Sequence, residues 1–446
     1  MSEELKQMDQ LFDRLFPIMR SITGDGVRET IHILQEYIPL EMEGIPTGTQ
    51  AFDWDIPQEW VIREAWIKDA EGNKVIDIKD LNLHVINYSE PIDEWFTLEE
   101  LKKHIHIIAN KPNAVPYVIS YYEKRWGFCM SKEQLDALPD GQYHAYIDSE
   151  KIDGELNFAH AVLPGKSTKE VLISTYICHP SMANNELSGP LVATFLYNRL
   201  KQWANRELTY RFVFIPETIG SISYLWKYGE HLKKQLYSGV VLTCLGGKEQ
   251  RLSFKQPRAK NTPMDLLIEY LNNRQKYEMP IRPFTPLNGS DERQYCSPGF
   301  NLPVGQFSKM VYSMYAGYHN SLDTKEVMTI EALVESVNEI EKLLKLQELN
   351  GYYVNLKPFG EPKLGKYNLY PNINAPMLRN RSTNSKIDNR QQLNQILALL
   401  NYSDGQHRLS DIAKTLPYLL EDYEISIKAL KEHGLLSGPF YEEQEL

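Results

Sequence analysis

Four stretches between residues 170 and 308 are apolar without alternation: EVLISTYIC (170–178), TYRFVFIPE (209–217), SGVVLTCLG (238–246) and LPVGQFS (302–308). Runs of that length and β-branched content predict strands buried on both faces. Between and after them lie segments with apolar residues at helical spacing: SGPLVATFLYNRLKQWA (188–204), SISYLWKYGEHLKKQL (221–236), PMDLLIEYLNNRQKY (263–277) and IEALVESVNEIEKLLKLQEL (330–349). Strand alternating with helix predicts a mainly parallel sheet covered on both sides, an α/β fold. Ligands in such folds sit at the carboxyl ends of the strands.

The flanks read differently. Residues 6–22 place Leu11, Phe12, Leu15, Phe16 and Met19 on one helical face, ITGDG (22–26) interrupts, and VRETIHILQEYI (27–38) starts a second helix. From about 48 to 165 the segments are short, aromatic and β-branched, as in EWVIREAWIKD, GNKVIDI and GQYHAYIDSE. They predict a β-rich insertion. Residues 352–388 are rich in Pro, Gly and Asn and read as a connecting arm; three short amphipathic helices follow, the spacing of a winged helix. The expected division is an α/β unit of 1–48 and 165–360, a β-rich insert at 49–164, and a winged-helix-like unit at 381–446.

With 446 residues, two or three domains are expected. A net charge of -11 argues against a nucleic-acid binder as a whole. Cys129, Cys178, Cys244 and Cys296 form no CxxC pair, so neither a disulfide framework nor a zinc ribbon is suggested. The charged, amphipathic start is not a signal peptide, and no run reaches the ~20 apolar residues a membrane span needs. A cytoplasmic protein is expected, with no membrane partner.

Candidate chemistry concentrates at the strand ends. In TYICHPSMANNELSGP (175–190), His179 follows a buried strand, Asn184, Asn185 and Glu186 fill the turn, and Ser188 with Gly189 open a helix. A loop of Asn turn formers with a Ser N-cap would look the same. In FIPETIG (214–220), Glu217 ends the next strand, where a carboxylate beside a metal can take a proton from water; a helix-start carboxylate is the plainer reading. LNGSDERQYCSPG (287–299) crowds Asp291, Glu292 and Arg293 into a loop, and YHNSLDT (318–324) places His319 after the last strand. In PYVISYYEKRWGFCM (116–130), strand alternation would put Tyr122, Lys124, Trp126 and Phe128 on one face, either a substrate wall or the insert's own core. Tyr122, Trp126 and Arg293 are the substrate-binding candidates.

The order His, then N-N-x-x-SG, then Glu, SD and YHxxxD resembles the zinc aminopeptidases and glutaminyl cyclases. The resemblance implies that His179 and His319 bind metal, that Glu217 is the general base, and that Asp291 corresponds to the SD aspartate. Over nearly its whole length the chain is also similar to bacterial aminopeptidase-like proteins with an inserted β domain and a winged helix, associated with polysaccharide biosynthesis. It departs from the two-metal pattern. Asn185 stands where that family has its bridging Asp, Glu186 lies beside it, Thr218 replaces the second Glu, and Thr243 or Cys244 falls where another ligand is expected. An amide bridges two cations poorly, so one zinc is expected, held by His179, His319 and one of Asn185, Glu186 or Asp291, with Cys244 in reserve.

The expected function is metal-dependent hydrolysis of an amide bond near a free amine, in a peptide or aminoacyl small molecule, with a link to polysaccharide biosynthesis. Two rivals stand beside it: a degraded peptidase fold serving as a scaffold, and a winged-helix DNA-binding regulator. The acidic end, EEQEL, weighs against the second, so nucleic acid is not an expected partner. Association into a homo-oligomer is left open.

Overall fold

A computed structural model describes residues 2–445 apart from 249, 312–313 and 371–388. The second half of the expected connecting arm and the first residues of the 381–446 unit therefore lie outside the described residues. Eight strands form the central sheet: β1 (Glu41–Pro46), β2 (Glu155–Leu163), β3 (Glu170–Tyr176), β4 (Thr209–Ile215), β5 (Leu236–Leu242), β6 (Ser253–Lys255), β7 (Ile281–Arg282) and β8 (Val304–Ser308). Their order is β1-β2-β4-β3-β5-β8-β6-β7. The centre, β4-β3-β5-β8, is parallel, while β2 and β6 join it antiparallel. β3 and β4 are buried at every residue, as uninterrupted apolar runs require.

One face of the sheet carries the helices Glu3–Leu15, Asp25–Gln35, Ser188–Lys201, Pro263–Gln275 and Ile330–Leu349, whose apolar residues share one continuous core. The first helix buries Met8, Leu11, Phe12 and Leu15, the spacing of a single stripe. It stops at Leu15 rather than running to 22, because Pro17 brings no N–H to continue the ladder. The opposite face carries helix Ile219–Gln235 and shares its core with the insert, through Tyr224 and Leu232 on one side and Trp60, Phe128 and Tyr143 on the other.

The insert is built on a four-stranded antiparallel sheet in the order Lys74–Asp77, Glu59–Lys68, Gln142–Ile152, Ile92–Thr97. The strands leading into and out of it, β1 and β2, pair with each other in the central sheet. The segment 116–130 is not the strand expected; only Phe128–Cys129 forms a strand, with isolated bridges at Pro116 and Ile119. Its backbone bonds mostly to residues 86–90 of the insert, while Tyr117 reaches the α/β unit, donating its N–H to the His319 carbonyl at 3.0 Å. At the C-terminus, helices Asn389–Tyr402, Leu409–Ala413 and Tyr423–Glu432 pack with a sheet of Tyr352–Asn355, Asp404–Arg408 and Leu436–Phe440. That sheet draws its first strand from residue 352, inside what reads in sequence as the arm.

Candidate active site

β3 ends at Tyr176 and delivers Cys178 and His179 to the carboxyl edge of the sheet. Ala183–Leu187 then makes one π-helical turn, and helix Ser188–Lys201 follows. Gly189 is required at that junction, because a Cβ there would lie 2.1 Å from Thr175 Oγ1 and 2.4 Å from the Leu242 carbonyl. The helix can therefore start wedged between β3 and β5. This holds Asn184, Asn185 and Glu186 fully buried behind the strand ends.

His179 is fixed from behind. Its Nδ1 lies 2.8 Å from Glu186 Oε2, leaving Nε2 directed at Glu217 Oε2, 3.5 Å away. Glu186 is backed by Arg20, itself fully buried, with Nε 3.6 Å from Oε1. The same Nε donates to the His179 carbonyl at 2.9 Å, and Nη1 to Leu15 at 2.6 Å. Burial opposes an imidazolium at His179, but Cys178, Tyr117 and Glu186 outweigh it, and its pKa stands well above the ordinary histidine value.

Glu217 follows β4 through Pro216, and Thr218 takes φ +65, a left-handed conformation costly for a β-branched residue. Asp291 stabilises that turn: Oδ1 accepts from Thr218 N–H at 2.7 Å and from Ser221 Oγ at 2.8 Å. Burial, reinforced by the charge of Glu217, pushes Asp291 up to about 8. Next to it, Ser290 Oγ donates to Glu217 Oε1 at 2.5 Å. Glu292 points away, into a buried ion pair with Lys255 at 2.7 Å.

His319 also has positive φ, +55, and lies in a loop after β8. Tyr318 stacks on it at 4.0 Å, and Tyr117 from the insert sits edge-on to both imidazoles, at 5.2 Å from His179 and 5.7 Å from His319. Burial, helped by His179, pushes His319 down to about 3, so it is neutral. Asp323 does not reach the imidazoles; it accepts the backbone N–H groups of Asn184 and Asn185 at 2.8 and 2.9 Å.

A cavity of about 320 Å³ brings His179, Glu217 and His319 together with Cys178 and Thr218 from the α/β unit. Trp54, Tyr117, Ile119, Tyr121 and Tyr122 of the insert close it. Of the other candidates, Glu186 and Asp291 lie behind the wall rather than in it. Asn185 is buried beside Tyr176, to whose hydroxyl its amide donates at 3.1 Å. Thr243 Oγ1 sits 2.5 Å from the same hydroxyl. Cys244 is buried, its thiol pushed up to about 12. Arg293 folds back on its own loop, donating to the Ser290 carbonyl at 3.3 Å. Tyr122 lines the cavity and is 68% exposed, whereas Trp126 stacks on His104 at 3.8 Å and joins the insert's core.

Two donor sets could hold a cation. Cys178, His179 and Glu186 lie within 4.8 Å of one another, yet the Arg20 guanidinium beside Glu186 and the His179–Glu186 hydrogen bond already fill that space. A metal does not fit there. The cavity side fits better. The His179 and His319 rings are 5.6 Å apart, close to the roughly 5 Å set by two imidazoles on one tetrahedral zinc with Zn–N near 2.0–2.1 Å. Asn185 Oδ1 is buried with no hydrogen-bond partner, a donor left over for a cation.

Comparison with known proteins places the chain. A domain of unknown function (DUF4910) matches residues 9–350. The chain belongs to that family. A winged helix-turn-helix model matches residues 351–438 of this DUF4910 protein, beginning with the strand at 352. A Clostridium acetobutylicum protein named for polysaccharide biosynthesis and an aminopeptidase-like domain is 38% identical over 412 residues, 92% of each chain. A crystal structure of a C. acetobutylicum protein described as a peptidase superposes with a TM-score of 0.85 at 36% identity, covering 98% of this chain and 96% of that one. The zinc aminopeptidase of Bacillus subtilis shares the fold at 11% identity, with a TM-score of 0.55, over 76% of this chain and 94% of its own. The mainly parallel α/β core is thus of zinc-exopeptidase type.

Arg20, Tyr117, Tyr176 and Ser290 shape the site and are not singled out by the sequence. Arg20, Tyr117 and Ser290 act across long chain separations, 159 residues for Arg20 and His179, so no local pattern marks them, whereas Tyr176 bonds to Asn185 only nine residues on.

Proposed function

We propose that this DUF4910 protein is a metal-dependent hydrolase of amide bonds with an aminopeptidase-like fold. The reading rests on Glu217, held by Ser290 on one oxygen and facing His179 Nε2 at 3.5 Å with the other, inside a cavity that His319 also lines. His179 and His319 would hold one zinc, with the Asn185 carbonyl as a neutral third donor. Bound there, zinc would polarise the scissile carbonyl and lower the pKa of water. Glu217 takes the proton from water as its oxygen joins the acyl carbon, and delivers it to the nitrogen as the C–N bond breaks. Glu186 holds the His179 proton on Nδ1, so that only the proton on Nε2, the nitrogen facing the cavity, would leave on zinc binding, the usual work of a carboxylate behind a metal-binding histidine. Tyr122 is carried as a substrate contact, Arg293 and Trp126 are not.

The name of the C. acetobutylicum relative supports a role in polysaccharide biosynthesis. Four free cysteines fit a reducing cytoplasm, and no described helix is long and apolar enough to cross a membrane. The neutral Asn185, Thr218 and Thr243 favour a scaffold without catalysis as the second reading. Metal analysis separates the two. The hydrolase should carry about one zinc per chain, lost on combining His179→Ala with His319→Ala, and Glu217→Gln should abolish amide hydrolysis while keeping metal and fold. No zinc after reconstitution, or undiminished turnover in Glu217→Gln, would reject the proposal.

A further inference from the structure

An enzyme that cleaves next to a free amine has two tasks for acids: one carboxylate moves the proton, and another receives the substrate's ammonium. Among the described residues lining the cavity, Glu217 is the only carboxylate, and both of its oxygens face protein partners, Ser290 and His179. The remaining acids nearby are withdrawn. Glu186 is committed to His179 and Arg20, Asp291 to Thr218 and Ser221, and Asp323 to the amides of Asn184 and Asn185. All three are fully buried behind the wall. Thr218, the residue after the proposed base, lines the cavity without a charge.

The rest of the wall is apolar or aromatic. Ile22, Trp54, Ile119, Tyr121 and Tyr122 face the space. Tyr122 meets Trp54 edge to face at 5.8 Å and Tyr121 edge to face at 6.2 Å, and Tyr121 shares a hydrogen bond with Tyr117 at 2.8 Å. The rings lean on one another as a continuous wall instead of presenting parallel faces around a cation. An ammonium entering this cavity would lose its water and find no carboxylate beyond Glu217, the proposed base already engaged by Ser290 and His179, which is costly. A neutral amide loses far less, and its apolar flank gains the wall.

We infer that the site takes neutral, N-acylated amines, not substrates with a free amine beside the scissile bond. This rests on the amide-hydrolase reading and narrows it: the substrate nitrogen carries an acyl group, and hydrolysis gives a carboxylate and an amine. The nitrogen could belong to an amino sugar or to a blocked amino acid; both present the same neutral amide.

Equilibrium binding to the full-length protein tests this with paired probes at pH 7: N-acetyl-L-leucinamide against L-leucinamide, and N-acetylglucosamine against glucosamine. At least one acylated probe should bind about tenfold or more tighter than its free-amine partner, and which pair does so identifies the source. Because an α-amino group titrates near 7.7–8.0, the handicap of L-leucinamide should shrink by pH 9.5. Tyr122→Ala, at an exposed position that leaves the fold intact, should weaken the acylated probe several-fold. Equal or tighter binding of the free amines at pH 7, or no binding by any probe, overturns the inference. Acylated probes that bind but are not cleaved by zinc-loaded protein would leave the inference standing and remove the hydrolase reading instead.

Discussion

Replacing Arg20 with Met tests whether Glu186 is held as a buried anion behind His179. The guanidinium is fully buried, 3.6 Å from Glu186 Oε1, and donates to the carbonyls of His179 and Leu15. Removing one partner of a buried ion pair costs roughly 3–5 kcal/mol, and two carbonyls losing their donors add about 1–2 kcal/mol after relaxation, so the single mutant should lose about 5 kcal/mol. Unfolding entropy near 2.1 cal/mol/K per residue, over the roughly 340 residues of the 9–350 unit, is ~0.7 kcal/mol/K. The melting temperature should therefore fall by about 7 °C. Adding Glu186→Gln removes the unpaired charge but not the lost carbonyl bonds, so the double mutant should recover to within about 3 °C of wild type. Calorimetry on the four proteins of the cycle decides. A double mutant no more stable than Arg20→Met would show that Glu186 is not a charge stabilised by Arg20, and would undo the argument that this pair orients His179.

Three further outcomes are expected. Trp126→Ala should cost about 2–3 kcal/mol, since the ring is stacked but only partly buried, and leave KM unchanged; Tyr122→Ala should do the reverse, and a KM effect at Trp126 alone would contradict the placement of these rings. Burial pushes Glu348 up to about 7, although Leu208 N–H and Tyr210 OH donate to it. Between the ordinary carboxylate range and pH 7 the folded state keeps a proton that the unfolded chain releases, so stability falls as pH rises through that window, by up to ~3 kcal/mol. Glu348→Gln should flatten that slope in urea midpoints at pH 5 and 8, and an unchanged slope would count against it. Finally, the protein should not bind duplex DNA with a steep salt dependence: Ile427, Lys428 and Lys431 of helix Tyr423–Glu432 face a cleft of about 860 Å³ shared with Trp203, Lys345 and Glu348, so that helix is turned to the α/β unit. A strong, salt-sensitive gel shift would refute this.

Patterns that repeat within one element were legible in the sequence, and relations between elements were not. Helix Ile330–Leu349 begins and ends where its apolar spacing does, because one stripe meets one core. β2 (Glu155–Leu163) falls inside the 49–164 read as the insert, yet it pairs in the central sheet with β1 and β4, since pairing is a property of two distant segments. The same divide runs through the site. The strings around His179, Glu217 and His319 place those three residues at strand ends, and the fold brings all three to one cavity. Which side of His179 each acid occupies was invisible. Glu186 and Glu217 flank the same ring on opposite nitrogens, and only Arg20, contributed from the stretch between the first two helices, makes one of them a support and leaves the other free.

The insert is part of the site and not an appendage to it. Loop 316–321 holds His319 at positive φ, a conformation that costs a non-glycine residue about 1 kcal/mol or more and persists only where neighbours enforce it. The enforcing neighbours come from the insert. Lys111 Nζ donates to the Ala316 carbonyl at 2.6 Å, Val115 N–H to Ser321 Oγ at 2.9 Å, Ser321 N–H to the Val115 carbonyl at 2.9 Å, and Tyr117 N–H to His319. Beyond Tyr117 the segment bonds to residues 86–90 of the insert, through Asn87 N–H to the Val118 carbonyl at 2.9 Å and Ile86 N–H to the Gly127 carbonyl at 3.1 Å, so its backbone is used locally and adds no strand to the insert's sheet. The bonds across the boundary explain why Tyr117 can stand edge-on between two imidazoles with its hydroxyl on Tyr121, because its backbone is anchored one residue from Pro116, which bridges to Asn320. The segment that supplies the cavity's aromatic wall is thus the segment that fixes His319, so shape of the pocket and position of the second imidazole are set by the same handful of hydrogen bonds.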